Sequence, residues 1–483
     1  MNEQNKRVSA FCSDALGTLD GVGIAERISS GEISAAEAVD AAIARAKSVN
    51  PALNAIVTET FDTARAQVKD PVTGSFAGVP SFIKDNEDVQ GAPTLWGTRA
   101  VPNKPAGKSS RFVKQFFSTG LVCLGKTALP EFGLTATTES LAFGTTRNPW
   151  HTDYSTGGSS GGSAALVASG VVPLAHGNDG GGSVRIPASC CGLVGLKPSR
   201  GRLERVEGSQ LMPVNIVYEG VLTRTVRDTA TFYYGAEKYR RSSKMPEIGR
   251  VQHPGKKRLR IAFFTDSPYG TPAHSEAADL VCRTGALCEE LGHTVREIPC
   301  PCDAQMADDF IIYWGMLAFS FRFYGRLIIS RGFDRSRLED WTINLSRLFL
   351  KKSFKAPGVI KRLRRFATLY NDIFSTCDIL INPSLAHPVP KVGYLGPEVP
   401  FDEAFERIRN YVAFTPLQNV SGAPAISLPL GFCSNGLPLG VQFGAAFGHE
   451  RELLELAFEL EEARPWPTIV QGYETGNLNG TPA

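Results

Sequence analysis

The sequence has little of what marks a nucleic-acid-binding, zinc-binding or secreted protein. Its 51 lysines and arginines nearly balance its 48 aspartates and glutamates, which leaves a net charge of +3 over 483 residues and no basic excess for a nucleic-acid backbone. Its 10 cysteines form no C-x-x-C pair, and the close sets Cys190-Cys191 and Cys300-Pro301-Cys302 lack zinc-ligand spacing. We therefore expect no metal site, no nucleic-acid partner and free thiols in a reducing compartment, the cytoplasm.

The sequence also predicts neither a secretory leader nor an uninterrupted membrane span. The opening MNEQNKRVSAFCSDALG contains no apolar h-region. Phe310–Ile329 is long enough to cross a bilayer, but Arg322 and Arg326 interrupt it, and charges near a bilayer centre are costly. We interpret it as one or two buried helices and expect no transmembrane segment. The basic run Lys351–Arg365 is interpreted as a solvated helix face, with a weak membrane-surface role as the alternative.

Strand-like and helix-like stretches alternate along much of the chain, which predicts an α/β fold. Arg258–Phe264 is typical of a strand, and Ala277–Leu291 is typical of a helix that ends before Gly292. Residues 18–68 instead favour helices, one of which begins after Ser34 as its N-cap. Local pattern alone thus indicates helices at the start and an α/β arrangement afterwards.

Candidate chemistry is concentrated in Thr156–Pro198. Two glycine-rich loops, GGSSGG at 157–162 and GGSVRI at 181–186 with Gly180 before it, flank a run of small apolar residues. Glycine has no Cβ and tolerates positive φ, so backbone N–H groups in such loops can approach a ligand closely. The apolar segments VVPLA and CCGLVGL favour a buried site over a flexible linker.

Two short patterns near these loops lack the context that their chemistry needs. GLVCLGKT at 120–127 has the letters of a phosphate-binding loop, but its interior resembles a strand rather than an open glycine-rich turn. Ser81-Phe-Ile-Lys84 matches S-x-x-K, yet the S-D-N and K-T-G motifs of β-lactamase-like enzymes do not follow. We expect neither a nucleotide site nor a β-lactamase-type site.

A third pattern leaves an alternative function open. Gly157–Gly161 matches G-x-S-x-G, the nucleophile elbow of α/β-hydrolases. An elbow follows a strand, whereas Pro149–Thr156 is typical of a turn. The elbow also needs a histidine from later in the chain, for which His387 and His449 are available. A Ser-His esterase-type hydrolase is therefore the alternative.

A lysine and two glycine-flanked serines offer a different chemistry. A serine hydroxyl needs a base to become a nucleophile, and lysine is a base only when it is neutral. An unperturbed lysine pKa of about 10.4 leaves roughly 0.04% neutral at pH 7, but burial can lower that pKa by several units. A second serine could relay the proton between lysine and nucleophile, and neighbouring glycine N–H groups could form an oxyanion hole.

Three segments resemble the signature blocks of the amidase signature family. They are GVPSFIKDN with Lys84, GGSSGGSAA with Ser159, and GNDGGGSVRIPASCCGLVGLKPSRGR with Ser183. The order and spacing of these blocks also agree with the family. Further matching segments, which extend the resemblance to about residue 466, are GKTALPEFG at 125–133, TESLAFGTTRNPW at 138–150, GVLTRTVRDTA at 220–230, NVSGAPAISLPLG at 419–431 and GLPLGVQFGAAFGHERELLELA at 436–457.

The resemblance implies hydrolysis of a carboxylic amide to an acid and ammonia or an amine. Ser183 would form the acyl-enzyme, and Lys84 would be the general base and later the acid. Ser159, which follows a cis peptide bond in that family, would pass the proton between them. The remaining site residues that the resemblance implies are Gly180, Gly181 and Gly182 with the Ser183 N–H for the oxyanion hole, and Asp179, Arg185 and Ser160 as their support. It implies no metal or cofactor and a small-molecule amide as partner, and it leaves a homodimer open.

Departures from the family pattern bear on substrate and assembly. Asn178 stands where Thr or Ser is common, and Gly180 where Thr, Ser or Ile is common. Ile186 follows Arg185 in place of the Gln of the glutaminyl-tRNA amidotransferase A subunit, so that subunit role is a weaker alternative. The Asn-Asp-Gly-Gly-Gly-Ser form of the third block is similar to that of stand-alone bacterial amidases, including aryl-acylamidase-like and cyclic nylon-oligomer-hydrolase-like members. A lysine-based triad needs no imidazole, so His176 is interpreted as a core histidine.

The resemblance also implies a fold and its organisation. It predicts an α/β amidase signature fold with a mixed central β-sheet covered by helices on both faces and a helical insertion. We expect a single domain over residues 1–483. Its expected parts are N-terminal helices at about 1–70, the signature core at about 71–235, a helical insertion at about 303–375 and a C-terminal portion of the core at about 376–466.

Overall fold

The computed structural model describes residues 6–471, in which a mixed β-sheet forms the centre of the molecule. The strands are β1 (Ile56–Glu59), β2 (Pro80–Lys84), β3 (Val122–Thr127), β4 (Glu139–Ser140), β5 (Gly144–Thr145), β6 (Arg147–Asn148), β7 (His151–Ser155), β8 (Leu174–Asp179), β9 (Val194–Lys197), β10 (Tyr218–Thr223), β11 (Arg260–Phe263), β12 (Thr294–Glu297), β13 (Ile379–Pro383), β14 (Ala425–Phe432) and β15 (Pro438–Ala445).

Helices surround these strands. They are α1 (Gly21–Ser29), α2 (Ala35–Leu53), α3 (Phe61–Gln67), α4 (Arg111–Phe117), α5 (Gly161–Ala168), α6 (Arg185–Cys191), α7 (Val226–Tyr239), α8 (Ser275–Glu290), α9 (Ala304–Ile328), α10 (Asp340–Lys352), α11 (Ala356–Asp372), α12 (Phe401–Tyr411), α13 (Pro416–Ser421) and α14 (Glu450–Ala463).

The central sheet has eight strands in the order β12-β11-β13-β15-β14-β9-β10-β8. β11 pairs in parallel with β12 and β13, and the other neighbours are antiparallel. A smaller sheet, β1-β3-β2, lies against the β8 edge. The predicted α/β fold with a mixed central sheet flanked by helices is confirmed.

The strands nearest the glycine-rich loops are buried along their whole length. β8, β9 and β10 have buried residues at every position, as strands covered on both faces must. Such strands are normally continuous apolar runs. β8 departs from that rule with His176, Asn178 and Asp179, and these polar residues lie where the candidate site forms.

The N-terminal region contains a strand that the sequence pattern does not predict. Ser34 caps α2 as predicted, in a capping box with Glu37. The expectation of helices alone over about 1–70 is wrong, however, because β1 (Ile56–Glu59) follows α2 and pairs antiparallel with β3. Four residues are too few to show a clear period of two, which explains the error.

The segment before the first glycine-rich loop is also a strand rather than a turn. His151–Ser155 forms β7, which pairs antiparallel with β6. Its sequence, HTDYS, is polar and only partly buried, so it lacks the apolar alternation that predicts a strand. The strand that a nucleophile elbow requires is therefore present, and the histidine alternative depends on where the histidines lie.

Residues 304–375 contain the helices α9, α10 and α11 and no strand. The apolar stretch Phe310–Ile329 falls almost entirely within one helix, α9, which packs against α10 through rings such as Phe319 and Phe349, 5.3 Å apart. The expectation that it is buried is only half right, because Tyr324 and Leu327 are exposed. Between residues 6 and 471, no helix is both long and apolar enough to cross a membrane.

Candidate active site

Lys84 ends β2 and is completely buried beside the first glycine-rich loop. Its Nζ is 2.7 Å from Ser159 Oγ, 3.0 Å from Ser160 Oγ and 2.6 Å from Asn178 Oδ1. A protonated lysine has three N–H donors, and each finds an acceptor here. A neutral lysine can instead accept a hydrogen bond from a hydroxyl. The lysine and Ser159 are thus close enough for direct proton transfer.

The environment of Lys84 favours its neutral form. Burial lowers the pKa of this lysine to about 7, although the negative charges of Glu219 and Asp179 act in the opposite direction. Removal from water penalises the ammonium, and the three groups bonded to Nζ carry no charge to compensate. Near neutral pH, a large share of Lys84 can therefore serve as a base.

Ser159 lies in a tightly packed turn between β7 and α5. The Gly158–Ser159 peptide bond is cis. A Cβ at Gly158 would lie 2.4 Å from the Thr137 carbonyl oxygen, so only glycine fits there. Ser160 Oγ donates to the Asn178 carbonyl oxygen at 3.2 Å as well as contacting the lysine. The first loop is therefore anchored on β8 beside the lysine.

Ser183 lies in the turn that joins β8 to α6, and it is 8% exposed. Gly182 in this turn has φ of +128°, and a Cβ there would lie 2.3 Å from Thr415 Oγ1. The Asp179 carboxylate accepts hydrogen bonds from the N–H groups of Gly182 at 2.8 Å and Val184 at 3.2 Å. These contacts fix the second loop against β8 and α13.

Arg185 fastens this loop to the C-terminal half of the protein. Its guanidinium, which is fully buried, donates to both carboxylate oxygens of Asp179. Its other acceptors are Gln418 Oε1, Asn419 Oδ1 and Gln442 Oε1, at 2.9, 2.7 and 2.7 Å. Burial alone would raise the pKa of Asp179, but the guanidinium holds that pKa well below its usual range. Both groups therefore stay charged and fixed.

Ser159, Ser183, Gly180 and Gly181 all line one cavity of about 420 Å³. No hydrogen bond joins Ser159 Oγ to Ser183 Oγ among the bonds of residues 6–471. Helix α9 supplies an apolar wall along the cavity, and the ring of Phe310 in this wall lies next to Gly181. Other lining residues are Trp96, Phe132, Ile216, Val217, Met306, Ile311, Trp314, Leu317, Phe321, Tyr324, Leu327, Ile408 and Val412.

The residues of the phosphate-loop pattern and Ser81 of the S-x-x-K pattern hold the fold together and do not line the cavity. Val122–Thr127 of the phosphate-loop pattern is strand β3, and Lys126 is buried in an ion pair with Asp85 at 3.0 Å. Ser81 Oγ donates to the Leu174 carbonyl oxygen at 2.9 Å, which joins β2 to β8. Neither side chain lines the cavity that contains Ser183.

The histidines of the alternative site lie elsewhere. His387 stacks on Tyr411 with ring centroids 4.4 Å apart, and its Nδ1 is 2.8 Å from the Pro388 carbonyl oxygen. His449 Nδ1 pairs with Glu452 at 2.9 Å. Neither histidine is among the residues that line the cavity. Within residues 6–471, no three or more His, Cys, Asp or Glu side chains lie close enough together to hold a metal ion.

Several site residues escaped the sequence reasoning. Asn178 was noted only as a departure from a family pattern, yet it contacts Lys84 directly. Asn419 and Gln442 lie in segments that resemble the family, but nothing in those segments or around Gln418 indicates that these side chains reach Arg185 from far along the chain. The available signal was polar residues within buried strands, such as Asn178 in β8 and Gln442 in β15.

Comparisons with known proteins agree with the family resemblance of the sequence. The family model described as Amidase matches residues 37–454. The chain is 48% identical to the amidase AmiC of Mycobacterium leprae over 97% of this chain and 100% of that protein. The structure of 6-aminohexanoate cyclic dimer hydrolase with its substrate matches with a TM-score of 0.86 and 33% identity, over 94% of this chain and 98% of that one. A bacterial aryl acylamidase matches with a TM-score of 0.81 and 28% identity, over 93% and 97%.

These matches show that the chain belongs to the amidase signature family. The family resemblance drawn from the three glycine- and lysine-containing segments is therefore confirmed. The chain is an amidase, an enzyme that hydrolyses amide C–N bonds.

Proposed function

We propose that this amidase works through an acyl-enzyme on Ser183, with Lys84 as the base and Ser159 as the proton relay. The observation that carries the proposal is the 2.7 Å contact between Lys84 Nζ and Ser159 Oγ in a fully buried site. Burial lowers the pKa of this lysine to about 7, so the base is available at neutral pH.

In the first step, the Ser183 hydroxyl attacks the amide carbonyl carbon. Its proton passes to Ser159 Oγ while the Ser159 proton passes to neutral Lys84, so the enzyme gains an ammonium and the substrate becomes a tetrahedral oxyanion. Ser159 and Ser183 line the same cavity, and a substrate seated there would bring the relay and the nucleophile into one hydrogen-bonded chain.

The oxyanion is stabilised by backbone N–H groups of the second loop. The Gly182 N–H already donates to Asp179, so it is not available to the oxyanion. The donors that we propose are therefore the backbone N–H groups of Gly180, Gly181 and Ser183. No other acceptor in residues 6–471 occupies these three N–H groups. One oriented donor of this kind contributes about 10²–10³ in rate.

Collapse of the intermediate then releases the amine. The Lys84 ammonium returns its proton through Ser159 to the leaving nitrogen, the C–N bond breaks, and the acyl group stays on Ser183. Water next attacks the acyl carbon with its proton taken by the same relay, which frees the carboxylic acid and the Ser183 hydroxyl. The net reaction consumes one amide and one water and releases one carboxylic acid and one amine.

The cavity indicates which amides it can hold. Its walls are almost entirely apolar, and Glu207 and Arg409 are the charged residues among those that line it. An uncharged amide with a bulky apolar or aromatic part would bury that part without leaving a charge unpaired. We infer that the substrates are uncharged small-molecule amides with a bulky apolar or aromatic part.

The test is to trap the acyl-enzyme with a panel of 4-nitroanilides that differ in acyl size. We expect a burst of 4-nitroaniline and an acyl mass on the peptide that contains Ser183. Ser183→Ala should form no acyl-enzyme, and Ser159→Ala should form it far more slowly. An acyl group on Ser159, or a burst that survives in Ser183→Ala, would overturn the mechanism.

The histidine alternative is tested on the same panel. Substitution of His387 and His449, one at a time, by Asn should leave the burst unchanged, because both side chains are engaged away from the cavity. Loss of acylation in either folded variant would favour the Ser-His reaction instead.

A further inference from the structure

A second set of buried titratable groups lies behind the catalytic lysine and is not used in the proposed reaction. His176 on β8, Glu219 on β10 and Glu87, in the turn after β2, are each at most 2% exposed. The His176 ring packs against Phe112 with centroids 4.8 Å apart, so the group is enclosed by apolar side chains. Burial of two carboxyls and an imidazole is costly and needs a reason.

The imidazole of His176 joins the lysine strand to Glu219. Its Nδ1 accepts a hydrogen bond from the backbone N–H of Lys84 at 3.1 Å. Nδ1 therefore carries no proton, and the proton on Nε2 is donated to Glu219 Oε2 at 2.8 Å. Burial lowers the pKa of His176 to about 3, so the ring stays neutral.

This connection crosses from one sheet to the other. Lys84 belongs to the three-stranded sheet, whereas His176 and Glu219 belong to the eight-stranded sheet. In that sheet Glu219 lies opposite Asn178, which contacts Lys84 Nζ. The backbone and the side chain of the lysine are thus both attached to the β8–β10 pair.

Glu87 completes the set. Its carboxyl accepts a hydrogen bond from the Ser110 hydroxyl. Burial, reinforced by the charge of Glu219, raises the pKa of Glu87 well above its usual range, which favours the protonated acid. Oε1 of Glu219 has no hydrogen-bond partner within the described part of the chain, and the protonated Glu87 is the neighbouring group able to donate to it.

The remaining charged groups around Glu219 are paired with one another. On β3, Lys126 pairs with Asp85 at 3.0 Å, and beyond β8, Asp179 pairs with Arg185 at 2.8 Å. The Lys84 ammonium has neutral acceptors only, and the negative charges of Glu219 first and Asp179 second raise its pKa against the effect of burial. Burial raises the pKa of Glu219 to about 7, while its contact with Glu87 and the charge of Lys84 act in the opposite direction, so the Lys84 ammonium and the Glu219 carboxylate stabilise each other.

We propose that Glu219, held by His176 and Glu87, is a positioning residue for the catalytic lysine. Through the imidazole it holds the backbone of Lys84 in place, and its negative charge sets the pH range in which the lysine is a base. This inference rests on the proposed role of Lys84. The proposal explains why His176, Glu219 and Glu87 are buried in a largely apolar core.

The test compares kcat/KM against pH in the wild type and in Glu219→Gln, with the best 4-nitroanilide as substrate. The amide oxygen of Gln still accepts from His176 Nε2, so the variant removes the charge and keeps the hydrogen bond. Without the carboxylate the ammonium is less stable, so the midpoint of the acid limb should fall by about one pH unit. One unit below the wild-type midpoint, activity should rise from roughly 9% to about 50% of its own plateau.

Glu87→Gln is the matched control. It also replaces a buried carboxyl by an amide, but the amide N–H can still donate to Glu219 Oε1 and Glu219 itself is unchanged, so the midpoint should stay within about 0.3 units of the wild type. A Glu219→Gln midpoint equal to that of the wild type would overturn the proposal and reduce Glu219 to a structural role. That result would leave the lysine mechanism intact as long as Lys84→Ala is inactive, and full activity of Lys84→Ala would overturn the mechanism itself.

A measurement on the wild type covers the case in which Glu219→Gln does not fold. In ¹⁵N-histidine-labelled protein, the His176 signal, assigned by its loss in His176→Asn or by its contacts to Phe112, should report the Nε2–H tautomer. It should also show no protonation down to about pH 5. A protonated ring at pH 6, or the Nδ1–H tautomer, would contradict the hydrogen-bond chain.

Discussion

The catalytic end of the cavity and the end formed by α9 are held by different kinds of contact. At the catalytic end, Lys84, Asp179 and Arg185 are fully buried and bonded to groups from other strands and helices. At the other end, α9 offers apolar side chains, and Tyr324 and Leu327 are 53% and 83% exposed. Charge-assisted hydrogen bonds fix distance and direction, whereas apolar contact fixes neither.

The difference separates reaction rate from substrate choice. Proton transfer requires groups held to within a fraction of an ångström, which the polar end supplies. An apolar wall tolerates changes in ligand shape and contributes mainly through buried area. Substitutions at the first end should therefore change kcat for every amide, and substitutions at the second should change KM for some amides.

The largest effect is expected from the lysine. Lys84→Ala should lower kcat by about 10³-fold for all members of the 4-nitroanilide panel, because general base catalysis is lost. Lys126→Ala is the matched control, since Lys126 is another buried lysine of the same sheet. It leaves Asp85 unpaired, so the free energy of unfolding should fall by about 3–5 kcal/mol while kcat of the folded enzyme stays near normal. Equal losses of kcat in both variants would erase the distinction between the two lysines.

The next effect concerns the frame of the nucleophile loop. Arg185→Lys keeps the charge but loses the forked contact with Asp179, so Ser183 should shift and kcat should fall by about 10²-fold. Arg202→Lys tests a comparable buried guanidinium, bonded to Glu450 away from the cavity. Thermal unfolding should show a loss of stability in both variants, with kcat reduced only in Arg185→Lys. A normal kcat for Arg185→Lys would mean that the loop holds its shape without the fork.

The pH dependence should also distinguish the two ends. Neutral Lys84 is the active form in the proposed mechanism, so kcat/KM should rise with pH about a midpoint near 7. Between pH 6 and pH 8 the increase should be about tenfold, while the inhibition constant of an apolar ligand without a carbonyl group, such as an alkylbenzene, stays constant. A rate that is independent of pH over this range would remove the lysine as the titrating base.

The smallest effect is expected at the apolar wall. Phe310→Ala should raise KM for a bulky apolar anilide by about five- to tenfold and leave 4-nitroacetanilide nearly unaffected, because only the larger group buries area against the ring. Phe323→Ala is the control on the same helix, since Phe323 is exposed and does not line the cavity. If KM rose equally in both variants, the effect would belong to the helix as a whole.

The sequence predicted the parts of the site that depend on local chemistry. Lys84, Ser159 and Ser183 stand in segments with a distinctive composition, and glycines at 158 and 182 are required by contacts that a Cβ would violate. The alternation of strands and helices likewise indicated the fold class. Short or polar strands such as β1 and β7 were missed because they carry too little apolar periodicity.

The unpredicted parts depend on contacts between distant segments. Nothing near Glu219 or Asn419 in the sequence indicates that they meet His176 or Arg185, because tertiary structure alone creates these pairs. The hydrogen bond between the Gly182 N–H and Asp179 joins residues that are close in the sequence, but it depends on a side-chain direction that no motif encodes. The oxyanion set expected from the resemblance therefore had to be narrowed.

The contacts of Arg185 also have a consequence for the enzyme during synthesis. Lys84, Ser159 and Ser183 leave the ribosome well before Gln418, Asn419 and Gln442, which complete the acceptors of the guanidinium. A nascent or prematurely ended chain thus carries all three reactive residues without the frame that orients them. We expect chains that stop before residue 418 to show no anilide cleavage, so that hydrolytic activity arises only after the residues that hold the Arg185 guanidinium have been made.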